Sequence, residues 1–171
     1  MVFQSLADAR DYVLSNDEDY FITDEIIRGV SFKVFKNGPK LIPDILNLCL
    51  NHKEKDFLVF DKERYSFGEF HQLTCQIAHL LMDEYSIRSG DRVAILMKNS
   101  PEFPLIFMAL SSIGAVAVCL NSWWTSDELK YGFMDSKVKI VFTDEQRLAK
   151  IKGFVSEMGV QTVLCRHQNS D

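Results

Sequence analysis

The stretch from Gly90 to Asp144 constrains the fold most strongly, because short apolar runs alternate there with segments of helical periodicity. With the residues that follow it, the stretch contains four runs that have the length and composition of buried strands, at 93–97, 115–120, 139–142 and 162–165. Strands that are apolar throughout are typical of a sheet covered by helices on both faces. The alternation therefore predicts an α/β fold, with a mostly parallel sheet, flanking helices and right-handed crossovers.

Capping signals mark two of the predicted helices. Ser66 with Glu69, and Thr125 with Glu128, have the spacing of capping boxes, in which each side chain bonds the backbone N–H of the other residue. The first box precedes apolar residues at helical spacing that continue to about Tyr85. Both positions are therefore predicted helix N-termini.

Shorter elements are predicted around these. Pro43 fits the first turn of a short helix. The run at 57–60, a charged turn at 61–64 and Tyr65 indicate a hairpin. Apolar residues at helical spacing over 148–158 predict a further helix, which a glycine then ends.

The segment from Lys98 to Pro101 lies where the first strand of the parallel sheet ends and a helix begins. Ser100 is the expected N-cap, with Pro101 at the first helical position, and Gly114 is expected to end the helix with a positive φ. Open α/β sheets bind ligands at this edge, which makes Lys98, Asn99 and Ser100 candidates. Capping and turn formation alone also explain these residues, and we favour that interpretation.

The N-terminal forty residues have a different pattern. A weakly amphipathic surface helix is predicted at 2–14, and the acidic residues at 17–19 indicate a solvated loop. Residues 28–40 contain four basic residues and no acid, interleaved with Phe32 and Phe35, a pattern that could mark a nucleic-acid or phosphate surface. A segment of this length that ends in Asn-Gly-Pro more often forms a strand or linker with a turn, and we favour the linker. We therefore expect an N-terminal helix and linker at 1–40 and an α/β subdomain at 41–171.

Composition excludes several classes of function. The 171 residues are 47% hydrophobic and 25% charged, as in a globular domain with a substantial core, and a net charge of −5 argues against nucleic acid as the main partner. The first 25 residues contain seven acids and one Arg, which does not fit a signal peptide. Scattered cysteines without C-x-x-C spacing predict reduced core thiols and a cytoplasmic protein; they are Cys49, Cys75, Cys119 and Cys165.

The run from Phe103 to Leu120 has 18 residues without a charge, long enough for a membrane span. Gly114 divides it into a helical half and an alternating Ala/Val half. A helix followed by a buried strand explains the run better, so we expect no membrane span.

Local catalytic motifs are absent from the sequence, including dinucleotide and phosphate loops, the nucleophile elbow and zinc-protease patterns. His71 and His79 are eight residues apart, too far for one metal, and adjacent Asp83 and Glu84 point in different directions. We therefore predict no catalytic, cofactor-binding or metal-binding residue in this chain.

Two motifs carry a family resemblance. YSFGEF at 65–70 and LSSIGAVAVCL at 110–120 resemble the first two core motifs of the adenylate-forming superfamily, which includes acyl-CoA synthetases, luciferases and nonribosomal-peptide adenylation domains. WWTSDEL at 123–129 is similar to a pattern of the acyl-CoA synthetase branch. The resemblance extends over about 33–164 and rests on motifs that form the fold.

The resemblance implies the N-terminal portion of the large domain of an acid–CoA ligase. Such an enzyme converts a carboxylic acid, with fatty acids among the candidates, and ATP into acyl-AMP and pyrophosphate, and then forms acyl-CoA, using Mg2+ and coenzyme A. The family's phosphate loop, ribose-binding pair and catalytic Lys lie further along, so the chain is expected to be non-catalytic by itself and to pair with the remaining segments of the enzyme. The alternatives are a free-standing scaffold or regulatory module, or an unrelated doubly wound domain that binds a phosphate-bearing ligand at Asn99 and Ser100.

Trp123 and Trp124 follow the second strand of the predicted parallel sheet, within the polar segment 121–125. Aromatic side chains often line ligand pockets, so the pair could line an acyl or pantetheine path. Packing of this loop against another subdomain is the interpretation that we favour.

Overall fold

The structure, a computed structural model, describes residues 2–166. The chain divides into two compact units, with the boundary between Leu41 and Ile42. Each unit has its own arrangement of helices and strands.

The first unit consists of a helix and a β-hairpin. Helix α1 (Leu6–Asn16) begins at Ser5, whose Oγ accepts a hydrogen bond from the Asp8 amide at 3.1 Å. Strand β1 (Ile22–Ile27) pairs antiparallel with β2 (Val30–Phe35).

Two details of this unit differ from expectation. The favoured linker is wrong for Val30–Phe35, which forms a strand because its β-branched and aromatic residues pair with β1. The acidic segment expected to be a loop includes part of a short 3-10 helix, Glu18–Tyr20. Lys33 lies 3.4 Å from Asp24 across the hairpin, so one of the basic residues takes part in an exposed cross-strand ion pair.

The second unit begins with the elements that flank its sheet. These are α2 (Ile42–Leu48), a 3-10 turn (Cys49–His52), the antiparallel hairpin β3 (Asp56–Phe60) and β4 (Glu63–Ser66), and α3 (Phe67–Asp83). The predicted capping box is confirmed: Glu69 N donates to Ser66 Oγ at 3.1 Å, and Ser66 N donates to Glu69 at 2.7 Å.

A four-stranded parallel sheet forms the centre of this unit, in the order β6-β5-β7-β8. Its strands are β5 (Arg92–Leu96), β6 (Val116–Cys119), β7 (Ile140–Thr143) and β8 (Gln161–Leu164). The connecting helices are α4 (Glu102–Ser112), α5 (Ser126–Ser136) and α6 (Glu145–Ile151). The prediction of an α/β fold with a parallel sheet and flanking helices is confirmed.

Strand β5 is apolar at each of its four buried positions, 93–96, and the packing of these side chains explains why. Val93 and Ile95 pack into one core cluster, while Ala94 and Leu96 pack into another. Successive side chains of a strand point to opposite faces, so a strand covered on both sides is hydrophobic throughout.

The long uncharged run divides at Gly114, as predicted. This residue has φ +72°, and the amide of Ala115 donates to Leu110 O at 2.9 Å, which closes the end of α4. Within the part of the chain that the structure describes, no helix is long and apolar enough to cross a membrane.

Two local predictions are wrong in detail. Helix α6 ends at Ile151, before the predicted 158, and its chain continues through turns that include Gly153, a residue of low helix propensity. Cys119 is exposed, because it ends β6 at an edge of the sheet.

A cleft at the carboxyl edge of the sheet

A cleft of about 600 Å3 opens where β5, β7 and β8 end. We call it the carboxyl-edge cleft; the β3–β4 hairpin forms another part of its lining. The aromatic, titratable and basic side chains in its lining include Phe60, Glu63, Lys98, Arg147, Cys165 and Arg166. This is the edge at which open α/β sheets bind ligands, and it includes the sequence candidates Lys98 and Ser100, for which the favoured interpretation is capping and turn formation.

Asp144 joins the ends of two strands within this cleft. Its Oδ2 accepts a hydrogen bond from Lys98 N at 3.0 Å, and its Oδ1 accepts one from Arg147 N at 2.9 Å. The second bond caps α6. One carboxylate therefore fixes the backbone after β5 relative to the backbone after β7.

Arg147 is the most buried charged residue of the cleft, with 8% of its surface exposed. Its Nη1 lies 3.3 Å from Asp144 Oδ2 and 2.9 Å from Gln146 Oε1. Its buried Nε has no hydrogen-bond partner among the described residues. A buried guanidinium N–H without a partner is costly, and in native proteins such a group usually has a functional or solvent explanation.

Arg166 connects the hairpin, α4 and the end of β8. Its Nη1 and Nη2 donate to Glu63 at 2.7 and 2.8 Å, and its Nε donates to Glu102 at 2.7 Å. Its guanidinium lies 4.9 Å from the centre of the Phe60 ring, a cation–π distance. The bonds from Arg166, and a further one from the Tyr65 hydroxyl, lower the pKa of Glu63 to about 2.

Other titratable groups nearby are also held in fixed charge states. Burial, with the charges of Glu102 and Asp144, raises the pKa of Cys165 to about 11, so its thiol is neutral at physiological pH and a poor nucleophile. Burial opposes ionisation of Glu102, but hydrogen bonds from Arg166 and Ser100 outweigh it and lower the pKa of Glu102. Neither group has the near-neutral pKa that general acid–base catalysis favours.

Lys98 differs from both arginines because its ammonium has no carboxylate within ion-pair distance among residues 2–166. The side chain is exposed, and Nζ lies 6.0 Å from the centre of the Phe60 ring. Lys98 and Arg166 therefore place two positive charges near one aromatic ring, and Arg166 alone is neutralised by carboxylates.

Ser100 does not cap α4, which corrects one prediction. Its hydroxyl contacts Met97 Sδ at 3.8 Å, and Pro101 occupies the N-cap position without a side-chain hydrogen bond. Ser100 is buried and lines the cleft. Asn99 lines a neighbouring pocket of about 250 Å3, which shares Phe60 and Ser100 with the cleft.

The histidine pair lies away from the cleft, on α3. His71 Nδ1 contacts Cys75 Sγ at 3.9 Å. Among residues 2–166, no group of three His, Cys, Asp or Glu side chains is placed to hold a metal ion.

The two tryptophans have different environments. Trp124 packs against the core cluster that includes Leu120, and an added Cβ on Gly132 would lie 3.1 Å from Trp124 Cζ3. Trp123 is 83% exposed. Neither side chain lines the two pockets described above, so Trp124 serves the core of its own unit and does not line a ligand path there.

Sequence reasoning missed the acidic and basic partners of this cleft. The sequence places Glu63 in a charged turn and Arg166 after the last predicted strand, and no local motif links residues that pair only in the folded chain. Residues 167–171 lie outside the part of the chain that the structure describes. Arg147 occupies a helical position without any distinguishing pattern.

Comparison with known proteins identifies relatives. A family described as "AMP-binding enzyme" matches residues 48–170. Long-chain fatty acid transport protein 6 of Mus musculus is 28% identical over 117 residues, which are 66% of this chain and 19% of that protein. 4-Coumarate–CoA ligase 3 of Arabidopsis thaliana is 39% identical over 88 residues, which are 52% of this chain and 16% of that protein.

Solved structures share the fold. A fatty acyl CoA synthetase of Mycobacterium tuberculosis aligns with TM-score 0.69 and 25% identity, covering 74% of this chain and 26% of that one. An anthranilate CoA ligase in complex with anthranoyl-AMP aligns with TM-score 0.69 and 21% identity, covering 73% of this chain and 25% of that one. The chain thus spans under a fifth of these curated relatives and about a quarter of these structures. The resemblance seen in the sequence is confirmed, and the chain belongs to the AMP-binding enzyme family.

Proposed function

We propose that the chain forms the N-terminal scaffold of an ATP-dependent acid–CoA ligase. The observation that carries this proposal is the family match over residues 48–170, supported by similarity to a 4-coumarate–CoA ligase and to a fatty acyl CoA synthetase. In the reaction proposed for the whole enzyme, a carboxylate oxygen attacks the α-phosphorus of ATP. The products are acyl-AMP and pyrophosphate, and the thiol of coenzyme A then displaces AMP to give acyl-CoA.

The chain's own residues do not fit ATP and Mg2+ as a complete site. The sequence has no phosphate-binding loop, and the described residues hold no cluster of metal ligands. The cleft holds a neutral thiol, carboxylates paired with guanidinium groups and the ammonium of Lys98, none of which is a general base. We therefore assign no chemical step to these residues, and propose that the chain alone does not catalyse adenylation.

We propose a carboxylic acid, including fatty acids, as the substrate class of the whole enzyme. In that enzyme, the subdomain at 41–171 would form the N-terminal part of the large domain and would pack against the remaining segments of the enzyme. The cytoplasmic location stays a prediction.

The first experiment measures pyrophosphate release by the purified 171-residue chain with Mg-ATP and carboxylic acids of different lengths. We expect no release above background. Acid-dependent turnover that persists through further purification would show that the chain holds the chemistry itself.

A second experiment tests the scaffold role directly. Residues 48–166 replace the matching segment of the Arabidopsis 4-coumarate–CoA ligase 3, and the chimera is assayed for 4-coumarate-dependent pyrophosphate release. A chimera carrying Gly114→Val is the matched control, because that substitution strains the scaffold away from the cleft. A chimera that melts cooperatively but forms no adenylate would contradict the proposed role within a ligase. That outcome would favour the alternative, a free-standing scaffold or regulatory module without a part in catalysis.

A further inference from the structure

We propose that the carboxyl-edge cleft binds an oxyanion, a carboxylate or a phosphate group, through the ammonium of Lys98 and the guanidinium of Arg147. This inference does not depend on the proposed ligase function, because anion binding requires no adenylation.

The first argument is the incomplete bonding of Arg147. The residue lines the cleft, exposes only 8% of its surface and leaves Nε without a partner among the described residues. Its single carboxylate contact, Nη1 to Asp144 at 3.3 Å, is longer than the usual charge-assisted bond of about 2.8 Å. Asp144 is also engaged by two backbone amides, Lys98 N and Arg147 N. Arg147 is therefore a buried cation whose bonding capacity exceeds what its neighbours use.

The second argument is that the charge of Lys98 has no counterion within the part of the chain that the structure describes. Its side chain lines the same cleft, and no carboxylate among residues 2–166 lies within ion-pair distance of its ammonium. Arg166, the other cation close to Phe60, is already bound by Glu63 and Glu102. A ligand anion would give Lys98 the counterion that Arg166 already has.

The acidic residues of the cleft do not remove this site. Glu63 and Asp144 are occupied by guanidinium and amide donors. Asp61 and Glu145 also line the cleft, but both are exposed, so water and salt screen their repulsion. We expect weak binding that depends on ionic strength.

The chemistry of the donors defines the ligand. A planar guanidinium matches the geometry of a carboxylate or phosphate, and a lysine adds a mobile point charge. The ring of Phe60 and the neutral thiol of Cys165 give the cleft a less polar wall. The cleft volume of about 600 Å3 leaves room for more of a ligand than its anionic group. An organic carboxylate and a phosphate monoester both meet this description.

The test is a titration of the 171-residue chain followed by NMR, with inorganic phosphate in one series and butyrate in another, at constant ionic strength. The readouts are the side-chain Nε–H signal of Arg147 and the backbone amide signals of 97–100. We expect saturable shifts with at least one probe, and the stronger probe identifies the source of the oxyanion. Unchanged signals with both probes into the range of tens of millimolar would overturn the proposal.

A pair of charge-matched variants separates a built site from general attraction. Lys98→Gln and Lys152→Gln each remove one exposed lysine, but Lys152 does not line the cleft. We expect Lys98→Gln to weaken binding about tenfold or more, the usual effect of losing a charged hydrogen bond, and Lys152→Gln to leave it nearly unchanged. Equal losses in the two variants would overturn the proposal, because the anion would then be responding to net charge alone.

Discussion

Glu63 and Arg166, which are 103 residues apart in the chain, form a two-point ion pair with N–O distances of 2.7 and 2.8 Å. The same arginine also bonds Glu102. The pair therefore ties the β3–β4 hairpin and the start of α4 to the end of β8, and it closes one side of the carboxyl-edge cleft.

The Glu63–Arg166 pair predicts an acid dependence of stability. The pKa of Glu63 falls from its ordinary value of 4.5 to about 2, mainly through the bonds from Arg166. A carboxylate whose pKa is lower in the folded than in the unfolded state stabilises the protein at pH values above its unfolded-state pKa. That stabilisation is lost as the pH falls from about 4.5 to about 2. Glu63→Gln should therefore flatten the decline of stability over this window.

Urea denaturation at a series of pH values from 6 down to 2 measures this effect. Glu157→Gln, at an exposed glutamate away from the cleft, is the charge-matched control and should keep the wild-type slope. Identical slopes for wild type and Glu63→Gln would contradict the assigned role of the pair.

Gly114→Val should destabilise the second unit by about 1–3 kcal/mol, because a β-branched residue is strained at φ +72°. An added Cβ would also lie 2.8 Å from Ser89 Oγ, closer than real Cβ contacts. Gly153→Val is the control, since that glycine has no neighbour within 4 Å of an added Cβ and no positive φ; it should change stability by less than about 0.5 kcal/mol. Thermal melts measure the stability of both variants. A Gly114→Val variant as stable as wild type would show that α4 does not end at Gly114.

The adjacent tryptophans offer a matched pair of truncations. Trp124→Ala should cost about 3 kcal/mol, because its ring fills the space between Leu120 and Gly132. Trp123→Ala should cost less than about 0.5 kcal/mol, because that side chain is 83% exposed. Denaturation followed by circular dichroism measures both values, and comparable losses would mean that Trp123 packs against part of the protein.

Cys165 should resist alkylation in the folded chain. Burial raises the pKa of its thiol to about 11, so little thiolate is present at pH 8. We expect iodoacetamide at this pH to modify Cys165 at least tenfold more slowly than in the urea-unfolded chain, as followed by peptide mass spectrometry. A rate in the folded chain equal to that of glutathione would be inconsistent with the buried, neutral thiol.

Local chemistry made much of the α/β architecture predictable. The Thr125–Glu128 capping box forms as expected, with Thr125 N donating to Glu128 at 2.7 Å, because both partners lie within one turn. The role of Gly114 in ending α4 was equally predictable from the sequence, since few residues other than glycine adopt its backbone conformation readily. The continuous hydrophobicity of β5 from Val93 to Leu96 likewise follows from burial on both faces.

The cleft was predictable in position but not in composition. Lys98 could be placed because the carboxyl ends of parallel strands meet at one edge. The partners Glu63 and Arg166 could not, because their pairing depends on the packing of the hairpin against the sheet. Ser100 shows the limit of local rules, since its hydroxyl turns toward Met97 although its type and position suit an N-cap.

The separation of Glu63 and Arg166 has a kinetic consequence. The β5–α4–β6 unit closes through near neighbours in sequence, as in the contact of Ser89 Oγ with Gly114 O, 25 residues away, whereas the ion pair closes a segment of 103 residues. The loss of chain entropy on closing a loop grows with the length of the loop, so long-range contacts tend to form after local ones. Removal of the pair should therefore speed unfolding while leaving the refolding rate almost unchanged.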